Sequence, residues 1–173
     1  CALPISREPG GTDLGEKIRQ LLLSTQTQPM HSDSELLLMF AARNEHIHHK
    51  IIPALKKGDW VLSDRFTDAS YAYQGGGRGL DIERIEHLER WVLGDFTPDM
   101  TLLLDIPVDL GMSRVESRGE KDRIELEAKD FFERVRQAYI ARSEKYPERI
   151  KLIDSSKERE HTSTQIEQIL ATL

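Results

Sequence analysis

The sequence predicts an α/β domain built on a parallel sheet, and three observations carry that prediction. Short apolar runs at 60–64, 100–105 and 150–154 each close on an aspartate, the signature of strands buried on both faces. The segments between them are long enough for helices and carry apolar residues at helical spacing. Strands joined in that way pair in parallel through right-handed crossovers, with helices covering both faces of the sheet. The chain has 173 residues, 38% hydrophobic and 31% charged, with no repeat, low-complexity tract or linker, so residues 1–173 are read as a single domain.

Each element has its own local reason. Thr12 or Asp13 caps a first helix whose Leu14, Ile18, Leu21 and Leu22 form an inward stripe, with Glu16 at capping-box spacing from Asp13. A polar loop spans 24–31. Ser32 and Glu35 form a second capping-box pair before a long helix that reaches residue 57, kinked by Pro53 and stopped by Gly58. After the strand at 60–64, the run Gly75-Gly-Gly-Arg-Gly79 reads as a flexible loop. Asp81 caps a helix with Ile82, Ile85, Leu88 and Val92 on one face, ended by Gly94. The strand at 100–105 is followed by a helix over 108–116, a charged loop over 117–124, and a second, longer helix. The strand at 150–154 leads to a last helix opened by Thr162 and Gln165, with Ile166, Ile169 and Leu170 inward.

Composition excludes several classes of function. Twenty-four Lys and Arg against 30 Asp and Glu leave a net charge of −6, a poor match to nucleic acid, whose binding rests on phosphate neutralisation. No apolar run approaches the ~20 residues that span a membrane, and no secretory signal pattern is present. The single cysteine, Cys1, forbids an internal disulfide and suits a reducing, cytoplasmic compartment. The chain opens on Cys1 rather than Met, so it is read as a fragment that has lost its start, with residues 1–5 foreign to the native protein.

Ligands of open α/β sheets bind beyond the carboxyl ends of the strands, which singles out Asp64, Arg65 and Asp105. Asp64 suits Mg²⁺ or its waters, and Arg65 suits a phosphate held bidentately; a plain surface ion pair is the other reading. Phe40 and Arg43 share a helix face, so a ring and a planar donor address one ligand, or else are core and surface residues. Ser70, Tyr73 and Gln74 offer the edge of a base donors, acceptors and a rigid ring, or make a polar turn. Arg114, Arg118, Lys121 and Arg123 surround Gly119 and fit either a transferring phosphoryl group or a solvated loop. His46, His48 and His49 invite a metal reading but lack a completing ligand set. There is no Gly-x4-Gly-Lys-Ser/Thr phosphate loop.

Together these segments resemble bacterial thymidylate kinases, which phosphorylate dTMP with ATP. The matching stretches are Arg7-Glu-Pro-Gly-Gly-Thr12, Met39-Phe-Ala-Ala-Arg43, Asp64-Arg65-Phe66, Ala72-Tyr-Gln-Gly-Gly-Gly-Arg78, Leu93-Gly-Asp-Phe96 and Ser117-Arg-Gly-Glu-Lys-Asp-Arg-Ile-Glu125, in the family's order. The resemblance implies a P-loop-kinase-type parallel sheet of order 2-3-1-4-5 flanked by helices, with dTMP, ATP and Mg²⁺ as ligands and a homodimer as the assembly. It implies that Phe40 stacks on thymine, although many members place that ring where this chain has Met39. Arg43 would donate to a thymine carbonyl, Ser70 and Gln74 would meet the base edge, and Tyr73 would pack on the deoxyribose. Glu8 and Arg19 would line the acceptor cleft. Arg65 would bind the acceptor phosphate, with Asp64 near Mg²⁺. A lid over 117–125 would bring Arg123 to the transferring phosphoryl, and Arg118 and Arg114 to ATP. The resemblance also implies a member truncated before its first strand and phosphate loop, and so a chain marginally folded and inactive alone. The other readings are a kinase for a different nucleotide, a non-catalytic nucleotide-binding module, and an interaction protein.

Overall fold

Ile5, Ser6 and Arg7 form a strand, β1 (Ile5–Arg7), paired in parallel and in register with Leu62, Ser63 and Asp64 of β2 (Leu62–Asp64). The computed structural model describes residues 5–25, 28–117 and 121–172. The expectation of a missing first strand is therefore corrected. A three-residue run containing Ser and Arg lacks the apolar signal by which the other strands are read, and its partner strand lies far along the chain.

β3 (Thr101–Asp105) and β4 (Ile150–Asp154) make a second parallel pair, with Asp105 opposite Asp154. The described strands thus form two two-stranded sheets rather than one continuous sheet. Helices flank both pairs: α1 (Asp13–Leu23), α2 (Ser32–His46), α3 (Ile52–Leu55), α4 (Thr67–Ser70), α5 (Ile82–Leu93), α6 (Val108–Glu116), α7 (Lys129–Lys145) and α8 (Arg159–Leu170).

Local chemistry accounts for the boundaries. The Thr12 hydroxyl accepts from the Gly15 N–H at the start of α1 (3.0 Å). Glu16 reaches back to the Gly11 N–H (2.9 Å), one residue short of the cap. Asp81 caps α5 by accepting from Glu83 N–H, and Gly94, at φ +57°, ends it. Ile18 and Leu22 are the buried members of the predicted α1 stripe, whereas Leu14 and Leu21 are exposed. The last helix starts at Arg159, earlier than Thr162, and Leu170 points to solvent rather than inward. Gln165 instead clamps the end of β4, donating to the Asp154 carbonyl (2.9 Å) and accepting from its N–H (3.0 Å).

The long helix does not merely kink at Pro53. A π-helical turn at Ile47–Ile51 joins α2 to α3, shifting the hydrogen-bond register just ahead of the residue that lacks an N–H. A second π-helical turn, Tyr71–Gly77, absorbs most of the run expected to be a flexible loop. A Cβ on Gly76 would lie 2.7 Å from Ala138 Cβ and 2.9 Å from the Arg134 carbonyl oxygen, and one on Gly77 would lie 2.5 Å from the Phe131 ring. These glycines let α7 approach the backbone closely. Leu36, Phe40, Ile47, Ile51, Tyr71, Ile85 and Leu93 form the main core cluster.

Candidate functional site

Beyond the carboxyl ends of β1 and β2, Glu8 and Arg65 are brought side by side, because the Glu8 N–H donates to the Asp64 carbonyl (2.9 Å). Arg65 has φ +70°, a left-handed conformation that a non-glycine residue holds only when its surroundings impose it. Its guanidinium carbon stands 5.6 Å from the centre of the Tyr73 ring. Arg65 remains exposed at the strand end; its neighbours partly desolvate the charge, but Tyr73, Tyr139 and Asp64 outweigh that and raise its pKa. Arg19 donates to the Pro9 carbonyl (3.1 Å), and burial together with the charges of Arg7 and Arg65 lowers its pKa. Cations that repel one another across a strand end make a place for an anion.

Glu8 is 3% exposed and is held from two sides by residues three apart on α2. Its Oε2 accepts from Arg43 Nε at 2.7 Å, and its Oε1 lies 2.9 Å from His46 Nδ1. Arg43, 2% exposed, spends its other two nitrogens on Ser70 Oγ (3.0 Å) and the Phe66 carbonyl (3.2 Å). Phe40 lies in the core with its ring centre 4.7 Å from the Arg43 guanidinium carbon. Met39, partly buried, packs toward Ile18 and Leu22. Tyr73 packs edge-on against Tyr139 and tilted against Phe131.

The second focus is Glu35, 1% exposed. It accepts from Gln74 Nε2 (2.9 Å), Arg78 Nε (3.3 Å) and Arg123 Nη2 (2.6 Å). Burial raises the pKa of a carboxyl, yet these donors outweigh it and hold Glu35 below its ordinary value. Arg78 Nη2 comes within 3.2 Å of Glu35 Oε2 but is not aligned for a hydrogen bond. Arg123 also donates to the Leu22 carbonyl (2.7 Å), which docks its loop on the end of α1.

The sequence-selected residues therefore fall into two groups. Glu8, Arg43, Ser70, Asp64, Arg65 and Tyr73 are linked at the ends of β1 and β2, with Arg19 on Pro9 nearby, whereas Gln74 and Arg123 meet at Glu35. Arg114 stands apart, donating to the Ser155 carbonyl (3.2 Å) in a cleft it shares with Lys157, Arg159 and Thr162. Arg118 lies outside the described residues. Asp105 is taken up by a bidentate pair with Arg136 of α7 (2.7 and 2.8 Å). His46 faces inward to Glu8, while His49 is exposed beside Glu45. Glu35 was read only as a helix cap; the signal that marks it is its place on the same α2 face as Met39 and Arg43, where a buried acid needs partners.

A family model described as thymidylate kinase matches residues 3–166. The chain belongs to the thymidylate kinase family. It is 73% identical over 169 residues to the thymidylate kinase of Ruthia magnifica subsp. Calyptogena magnifica, covering 98% of this chain and 82% of that protein. The thymidylate kinase of Nitrosospira multiformis is 50% identical over 169 residues, with the same coverage of 98% and 82%. The crystal structure of thymidylate kinase from Ehrlichia chaffeensis superposes with a TM-score of 0.77 at 32% identity, covering 98% of this chain and 80% of that one. The family match from residue 3 onward, with β1 in place, overturns the reading of a chain without its first strand; the Gly-x4-Gly-Lys-Ser/Thr motif is still not found in these 173 residues.

Proposed function

We propose that the region between Glu8, Arg43, Arg65, Ser70, Tyr73 and Gln74 is the acceptor site at which this thymidylate kinase holds dTMP for phosphorylation to dTDP, a step of dTTP biosynthesis. The reading rests chiefly on one observation: the strained, cationic Arg65 stands at the end of β2 beside a buried array of base-type donors and acceptors. The acceptor phosphate pairs with Arg65, with Arg19 adding positive charge. Arg43 and Ser70 address a thymine carbonyl, and Gln74 the base edge. Tyr73 packs beside the deoxyribose. Phe40 supports the base site through its contact with the Arg43 guanidinium.

The acceptor is already an anion, so the reaction needs no protein nucleophile; alignment and stabilisation of spreading phosphoryl charge carry it. Mg²⁺ prefers oxygen ligands and is usually held by one or two carboxylates together with substrate phosphates and water. Asp64, exposed at the end of β2, offers one such carboxylate, and no group of three metal-ligating residues makes a protein cage among the described residues. The residues thus fit an ion that arrives with ATP, where it neutralises phosphate charge. In this reading Arg123 serves the transferring phosphoryl, Arg118 and Arg114 serve ATP, and Arg118 and Arg123 belong to a lid over 117–125 while Arg114 lies on α6 before it. Among the described residues no helix is long and apolar enough to cross a membrane. A cytoplasmic homodimer of single-domain subunits completes the proposal.

Arg65→Ala tests the acceptor assignment. Removing one charge-assisted phosphate contact should lower kcat/KM for dTMP by about a hundredfold, with KM for ATP little changed. An equal rise in both KM values would contradict it.

A further inference from the structure

Glu35 is hydrogen-bonded to the proposed acceptor site through Gln74 and so determines which face of Gln74 a ligand meets. An ionised carboxylate only accepts hydrogen bonds, so the atom of Gln74 directed at Glu35 is the amide nitrogen, 2.9 Å from Oε1. The Arg78 and Arg123 donors on the same carboxylate favour its ionised form. With the nitrogen committed, the carbonyl oxygen is the end of the Gln74 amide presented to a base.

We infer that Glu35 is a positioning residue for base selection, locking the Gln74 amide so that it accepts from a pyrimidine ring N–H and rejects a pyrimidine with a lone pair at that place. Thymine carries an N–H at ring position 3, between two carbonyl groups; cytosine carries an acceptor there. A fixed acceptor meets thymine with a hydrogen bond and cytosine with two facing lone pairs. A freely rotating amide would serve both bases. Such discrimination by an unpaired polar group exceeds what shape alone gives, because the mismatched complex leaves desolvated groups unsatisfied. The same carboxylate also binds Arg123 from the loop after α6, so the base-reading amide and that loop share one anchor.

The inference rests on the proposed role of Gln74, and the test separates the two. Glu35→Gln keeps the size of the side chain but presents an amide that can donate or accept, freeing Gln74 to turn. The ratio of kcat/KM for dTMP to that for dCMP should fall by about tenfold or more. Arg123→Ala removes the loop contact but leaves the Glu35–Gln74 bond, so kcat should fall with the ratio retained. A purely structural role for Glu35 would lower both activities together and leave the ratio unmoved, which would overturn the inference. An unchanged KM for dTMP in Gln74→Leu would overturn the underlying base-reading role, and the inference with it. Should Glu35→Gln fail to fold, the wild-type protein still decides. Its Gln74 side-chain amide protons should resist solvent exchange in ¹⁵N–¹H spectra before any nucleotide is added; rapid exchange would overturn the inference.

Discussion

Arg43 makes hydrogen bonds through three different nitrogens, to Glu8, Ser70 and the Phe66 carbonyl. Its place therefore depends on the planar fork of the guanidinium and not on charge alone. Arg43→Lys should raise KM for dTMP by about tenfold or more while leaving KM for ATP near its original value, as read by steady-state kinetics. Removing the donor at His46 should act on the same array from the other side. His46→Leu keeps much of the volume but leaves Glu8 Oε1 without a partner, and an unsatisfied buried acceptor costs about 1–3 kcal/mol in urea unfolding. The motif around Arg43 was legible in the sequence because the residues that meet it lie in recognisable segments. The Glu8–His46 contact was not, since it joins positions 38 apart and the histidine stood in a run that suggested metal binding. Glu35 was misread for a similar reason. Its spacing from Ser32 satisfies a local capping pattern, and only the tertiary fold brings Gln74, Arg78 and Arg123 to it.

Elements were read well where the signal was local and poorly where it was a contact. The ends of β3 and β4 follow the apolar runs within a residue, and Asp81 and Gly94 bound α5 as their types dictate. The glycine run was read as a loop because glycine is ambiguous: it marks a flexible backbone or a surface that another element must touch. Here the second holds for Gly76 and Gly77, packed under α7. Two substitutions separate these uses. Gly76→Ala forces a methyl into Ala138 and the Arg134 carbonyl and should cost about 1–3 kcal/mol by overpacking. Gly58→Ala meets nothing within 4 Å but must hold φ +81° and should cost about 1 kcal/mol from backbone strain alone. A Gly76→Ala variant that lost no stability in urea unfolding would show that packing against α7 is not what the run provides.

At the scale of the molecule, the two strand pairs are held together by helices and by buried ion pairs. Asp68, three residues beyond Arg65, binds Arg142 of α7 (2.6 Å) and Arg149 just before β4 (2.7 Å), tying the half that carries β2 to the half that carries β4. Burial raises the Asp68 pKa, but Arg149 and Arg142 outweigh it and hold it below its ordinary value. A carboxyl depressed in the folded state contributes its full stability above its unfolded pKa, near 3.9, and loses it as pH falls through the lower folded value. Asp68→Asn should therefore cost about 3–5 kcal/mol at pH 7, where it strands buried cations, and the gap between variant and wild type should narrow below about pH 4. A gap that widened in acid would reverse the sign of this account. The α/β class and the helix-joined parallel strands were legible at this scale. The five-strand order 2-3-1-4-5 that the resemblance implied is not seen among the described residues, whose four strands pair as β1–β2 and β3–β4.

The most direct test of the central claim is ADP release from ATP and Mg²⁺ by this chain, with dTMP, dCMP or AMP as acceptor. The arrangement of Arg43, Arg65, Ser70 and Gln74 predicts release that depends on dTMP and exceeds that with either alternative by about tenfold or more. Equal release with all three acceptors would contradict thymidylate recognition by this site.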